Sequence, residues 1–257
     1  LSEEQLEQLS EIKTLLIDLG YDINIETCYE KNPESSDAFV DCCVNTYIAN
    51  NTEEVEFITT NENDTLTNSI VNEKISKYKT KFYSVSIEGY KTIEKKAFYE
   101  YKNLIALDIR KSVKIIGYGA FGKCYELKKL VIGNSVETID EYAFYKCTGL
   151  KEKLVIPNSV ESIGKYAFAY CAALKELVIG NSVETIGYRA FYYCTGLNET
   201  LVIPNSVVSI GYVEREREEE YDSDEEEEGE VFSRCIGLKK IVIGNSLEKI
   251  GKLTFGF

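Results

Sequence analysis

The motif A-F-x-x-C-x-x-L-x-x-L-V-I-[GP]-N-S-V-x-x-I-G recurs along this chain, with its Phe at 98, 121, 144, 168, 191, 232 and 255. The steps are 23, 23, 24, 23, 41 and 23 residues. A period of this length predicts a stack of similar short units. One unit cannot bury its own apolar face, so stability must come from its neighbours. The 41-residue step becomes 24 once a 17-residue insertion between Ile210 and Phe232 is removed. The segments L-V-I-G (130–133, 177–180) and L-V-I-P (154–157, 201–204) alternate, and each L-V-I-P unit carries one extra residue. That alternation points to growth by duplication of pairs.

Each L-V-I segment reads as a short strand with Leu and Ile inward, and its copies stack in parallel about 4.8 Å apart. The following [GP]-N-S is turn chemistry. V-x-x-I-G reads as a second short extended segment, and A-F-x-x-C-x-x-L as a helical turn with Ala, Phe, Cys and Leu facing the core. Cys124, Cys147, Cys171, Cys194 and Cys235 each follow a repeat Phe by three residues. They therefore fall in one column and read as buried structural thiols, since stacked parallel Cβ vectors suit disulfides poorly. No His is present and no C-x-x-C spacing occurs, so no metal framework is expected.

These residues resemble the BspA-like class of leucine-rich repeats, whose units read like L-x-x-I-x-I-P-x-S-V-x-x-I-G-x-x-A-F-x-x-C. The stretch LVIPNSVESIGKYAFAYCAAL (154–174) matches it at nearly every position. The resemblance covers about residues 83–257. It implies a solenoid of parallel strands and short helical turns, and it implies a non-enzymatic recognition or adhesion role of the kind found in surface proteins of bacteria and protozoa. The alternative is a structural subunit that self-assembles or joins a larger complex through its open solenoid end, and the alternative location is an intracellular complex.

Residues 1–60 do not follow the repeat. Ser2 as N-cap, Leu6, Leu9, Ile12, Leu16 and Leu19 at helical spacing and Gly20 as a stop predict an amphipathic helix, with a second from about Glu34 to Asn50. The pair is expected to cap the first rung. A bridge from Cys28 to Cys42 or Cys43 is open if the protein is secreted. Residues 61–82 read as a linker and a degenerate first repeat, and 83–257 as the solenoid. The absence of Met indicates that Leu1 is not a translation start, through either a processed leader or a shortened chain. No apolar run is long enough to span a membrane.

The net charge of −14 disfavours nucleic acid and anionic lipid as partners. Ten Glu and two Asp against two Arg lie in 214–230, so the acidity is concentrated in an insert that reads as a solvated loop. Within it, Ser223 sits in Asp-Ser-Asp-Glu-Glu, an acidophilic-kinase pattern. Without His, a phosphate-cradling Gly loop or converging carboxylates, neither catalytic residues nor a cofactor are expected.

Two candidate contact surfaces stand out. Alternation places Val131, Val155, Val178, Val202 and Val242 on the outward, concave face of successive strands, preceded by Ser86 and Asp108. Two readings are open: Val at these positions reflects strand propensity alone, or the contiguous apolar stripe is a protein-binding site. Tyr142, Tyr145, Tyr166, Tyr170, Tyr188, Tyr192 and Tyr193 offer a second surface on the turn side. At the far end, Leu247, Ile250 and Phe255 are expected to line an open rung through which copies or other subunits assemble.

Overall fold

The computed structural model describes residues 53–59, 64–78, 81–151, 153–211 and 229–256. The two helices expected within 1–50, Cys28, Cys42, Cys43 and Ser223 lie outside the described residues. Each rung contributes to three columns. The first holds the longer strands: β1 (Glu53–Ile58), β3 (Tyr83–Glu88), β5 (Leu104–Ile109), β7 (Lys129–Ile132), β9 (Lys153–Val155), β11 (Glu176–Val178), β13 (Thr200–Ile203) and β15 (Lys240–Ile243). The second holds two-residue strands: β2 (Thr65–Leu66), β4 (Thr92–Ile93), β6 (Ile115–Ile116), β8 (Thr138–Ile139), β10 (Ser162–Ile163), β12 (Thr185–Ile186), β14 (Ser209–Ile210) and β16 (Lys249–Ile250). These eight form one uninterrupted parallel sheet.

The third column is the A-F-x-x-C segment, where the backbone alternates between two uses of its N–H groups. Ala97, Tyr99 and Tyr101 donate back three residues, as in a helical turn, while Lys96, Phe98 and Glu100 donate to Tyr118, Ala120 and Gly122 of the next rung at 2.7–2.8 Å. The alternation requires a left-handed backbone two residues before and two after each repeat Phe. Non-glycine residues such as Tyr166 (φ 54°) and Tyr170 (φ 62°) accept it. A positive φ costs an L-residue about 1 kcal/mol, and the inter-rung bond offsets this by satisfying a donor that would otherwise be buried.

The first column is not continuous. Its ladders run β1-β3-β5-β7, then β9-β11, then β13-β15. Both breaks fall where an L-V-I-P unit follows an L-V-I-G unit. Two causes coincide there. The extra residue moves Leu154 to four positions after Leu150, against three from Leu127 to Leu130, which shifts the register. In addition, Pro204 has no N–H, whereas the equivalent Gly244 donates to Ile203 at 2.9 Å. After the four-stranded ladder, the strand column from β9 onward is therefore built from pairs, in step with the L-V-I-P/L-V-I-G alternation.

The core is a stack of like residues. Phe98, Phe121, Phe144, Phe168, Phe191, Phe232 and Phe255 lie nearly parallel, with centroids 4.9–5.7 Å apart. Phe57 of β1 meets Phe98 edge-on at 5.5 Å and 90°, ending the stack with the positive ring edge against a ring face. Residues 53–78 otherwise supply β1, β2 and the helix α1 (Asn68–Ile75). Thr67 caps α1, and Val71 and Ile75 are buried. All five repeat cysteines are fully buried, and each thiol donates to the carbonyl of the preceding rung's Phe, as from Cys124 to Phe98 (3.1 Å) and from Cys171 to Phe144 (3.4 Å).

The insertion leaves and re-enters at one point. Gly229 N donates to Gly211 O at 2.7 Å. Gly229 and Glu230, which the sequence reading assigned to the acidic insert, belong to the rung itself: Arg189 N donates to Gly229 O, and Glu230 N to Lys252 O. The residues in excess of a standard rung are therefore 212–228. Position 229 tolerates only Gly, since φ is +100° and a Cβ would lie 1.5 Å from Lys252 O.

Candidate surface on the strand face

Outward positions of the first column follow from strand alternation, and they divide into two regions. On β1, β3 and β5 they are Glu56, Ser86 and Asp108. Arg110 pairs there with Asp108 (3.1 Å), Glu56 (3.5 Å) and Glu88 (3.8 Å), and Lys111 with Glu88 (3.2 Å). From β7 onward the same positions are Val131, Val155, Val178, Val202 and Val242, with 37–51 % of each exposed. Their registered partners are Val178 on Val155 and Val242 on Val202. Apolar side chains thus stack in a line on the solvent side, while Leu154, Leu177 and Leu201 face the core. A groove of about 720 Å³ over β11, β13 and β15 has Val178, Val202, Val242, Asn181 and Asn205 in its lining. It crosses the break between β11 and β13.

Charged side chains border this stripe on one side, a feature that no motif in the sequence announces. Two residues before three of the valines, on the same face, stand Lys129, Lys153 and Lys240, all exposed. Lys153 pairs with Glu176 at 2.6 Å. On the other side the border is Gly133, Pro157, Gly180, Pro204 and Gly244, without charge.

The turn-side tyrosines also come together, but largely satisfy one another. Tyr142 stacks on Tyr166 at 4.8 Å, and Tyr145 meets Tyr170 edge-on at 5.6 Å. Arg189 lies over Tyr188 (4.8 Å) and Tyr192 (5.0 Å), donates to the Tyr166 hydroxyl at 3.0 Å and pairs with Glu230. Burial and the hydrogen bond with Tyr166 push the Tyr188 phenol well above its usual range. This band is a packed network at the edge of the core, in contrast with the unpaired valines.

The cysteine column offers no nucleophile. Burial pushes Cys124 and Cys171 up to about 12, so both are thiols at neutral pH. No cluster of three or more potential metal ligands occurs among the described residues. No described helix is long and apolar enough to cross a membrane.

At the far end, side chains whose counterparts are buried in other rungs become exposed. Ile243 is 43 % and Ile250 52 % exposed, against at most 7 % for Ile132, Ile139, Ile203 and Ile210. Leu247 and Phe255 are partly buried.

The model of the BspA type leucine rich repeat region matches residues 91–213 and 225–257 in six copies. No curated protein sequence matches. Among solved structures, the chain is similar to a leucine rich repeat protein of T. pallidum, with 27 % identity over 65 % of this chain and 71 % of that one and a TM-score of 0.52. It is also similar to a leucine rich cell surface protein of Faecalibacterium prausnitzii, with 26 % identity over 78 % of this chain and a TM-score of 0.54. The present chain spans about half of that protein, 52 %. The repeat, its three hydrogen-bonded columns and these matches place the chain in the BspA-type leucine-rich-repeat family.

Proposed function

We propose that this chain is a non-enzymatic recognition scaffold of the cell surface that engages a protein partner through the valine stripe on β7 to β15. One observation carries the reading: five valines at the outward position of successive strands, each 37–51 % exposed and paired in register as Val155 with Val178 and Val202 with Val242, form an apolar line on an otherwise acidic chain. Exposed apolar surface of that continuity is unfavourable in water unless a partner covers it, at about 25 cal/mol per Å². The described residues contain neither His nor a thiol available for chemistry, which supports binding over catalysis. A surface location is supported by the similarity to the F. prausnitzii cell surface protein.

The test is the triple variant Val155→Glu, Val178→Glu, Val202→Glu. Outward positions tolerate charge, so circular dichroism should be unchanged while capture of a partner from surface extracts is lost. Undiminished binding by the folded variant would reduce the stripe to strand propensity. A second reading, assembly through the rung holding Leu247, Ile250 and Phe255, is favoured by the exposure of Ile243 and Ile250.

A further inference from the structure

We infer that the strand face selects a protein segment whose apolar stripe is bordered on one side by carboxylates, and that the lysine column beside the valines fixes its orientation. The inference rests on the valine face being the contact surface. Between the last repeat Leu of each rung and the strand that follows, the tracts of β7 to β15 hold seven Lys against three Glu, in a chain whose net charge is −14. Three of these lysines, Lys129, Lys153 and Lys240, share the outward parity of Val131, Val155 and Val242, with Glu176 and Thr200 at the same position on β11 and β13, so the border is net positive. The lysines therefore flank the stripe at about 7 Å, the rise of two strand residues. Lys129 and Lys240 have no ion pair among the described residues, and Lys153 is held by the half-exposed Glu176 at 2.6 Å.

The opposite border of Gly and Pro is neutral, so the face is electrostatically one-sided across its width. Five strands at about 4.8 Å give the stripe a length of about 19 Å. A ligand that lays apolar side chains on the valines can place carboxylates on the lysine side only in one orientation. A like-charged rim is repelled there, and such complementarity governs selectivity and association rate more than total affinity. At the β1 to β5 end of the same face, Glu56, Glu88 and Asp108 already neutralise Arg110, so that region does not compete for carboxylates.

The experiment uses the whole chain and three synthetic peptides that share one apolar stripe and differ only in its border: Glu, Gln or Lys. Fluorescence anisotropy at low salt should rank them in that order, with Glu at least about tenfold tighter than Lys. The gap should shrink toward about 0.5 M NaCl as screening sets in. The variant Lys129→Glu, Lys153→Glu, Lys240→Glu should invert the ranking, and Gln at the same three positions should level it. Equal binding of all three peptides to the unmodified chain, or a ranking that survives the Glu variant, overturns the role of the lysines but leaves the valine face standing. If no peptide binds, or if binding persists when Val155, Val178 and Val202 are Glu, the valine reading fails as well.

Discussion

Deleting residues 212–228 should leave the solenoid intact and as stable as before, or more so. The expectation follows from where the chain leaves and returns. Gly211 O and Gly229 N are 2.7 Å apart, so a direct peptide bond needs the two ends to approach by about 2 Å, shared between two glycines that can absorb it. The shortened sequence Ile210-Gly211-Gly229-Glu230-Val231-Phe232 has the spacing of Ile186-Gly187-Tyr188-Arg189-Ala190-Phe191. Closing a loop of 17 residues carries an entropic penalty of about 2 kcal/mol, which the deletion removes. The lost segment holds nine Glu and two Asp against two Arg, so the net charge falls from −14 to −5 and self-repulsion with it. Urea unfolding of the two proteins gives the difference directly, and a gain of up to about 2 kcal/mol at unchanged m-value is expected. A loss of more than about 2 kcal/mol would refute the reasoning. It would mean that residues between 212 and 228 pack on the rungs and hold them together.

The buried thiols should be silent to an aromatic disulfide reagent at pH 8 in the folded protein and react on unfolding, because only thiolate attacks. Stability should also fall as pH rises above about 9. Unfolded thiols then lose their protons while Cys124 and Cys171 keep theirs to about 12, so each such thiol lowers stability by about 1.4 kcal/mol per pH unit. Cys171→Ala should reduce that slope by one proton, and an unchanged slope would sink the assignment. If copies associate through the exposed end rung, the particle should be a closed pair rather than a filament, since Phe57 closes the other end of the Phe stack edge-on. Ile250→Lys with Phe255→Lys should leave a monomer by light scattering, whereas a unmodified chain that is monomeric at high concentration defeats this reading.

The rungs were legible because their constraint is repeated. A Phe every 23 or 24 residues can be buried only against its copies, and the stacked rings from Phe98 to Phe255 are the direct consequence. Features that depend on a single rung were not legible. Phe57 and α1 occur once, so no periodicity announces that one ends the ring stack and the other buries Val71 and Ile75. The turn segment reads as helical from its Ala, Phe and Cys spacing, and half of its N–H groups do bond back three residues. The other half bond across rungs, which depends on left-handed residues such as Tyr166 and Arg189 that intrinsic propensity does not favour.

The strand face shows the same division more sharply. Val131, Val155 and Val178 were legible because strand alternation fixes the side of the sheet each one takes. Lys129, Lys153 and Lys240 obey the same alternation and stand two residues away, yet the charge of this chain, read as a sum or by its densest run, points instead to the acidic stretch. At most two lysines per strand tract, and none in that of β13, are dilute along the chain. Stacking the rungs about 4.8 Å apart brings Lys129 and Lys153 within a Debye length of each other, about 8 Å at physiological salt, with Lys240 on the same line three rungs, about 14 Å, beyond. A column of charge therefore exists only in the folded solenoid. In repeat proteins the informative spacing for electrostatics is the rung separation, and a weak periodic excess of one sign can outweigh a dense run that belongs to no rung.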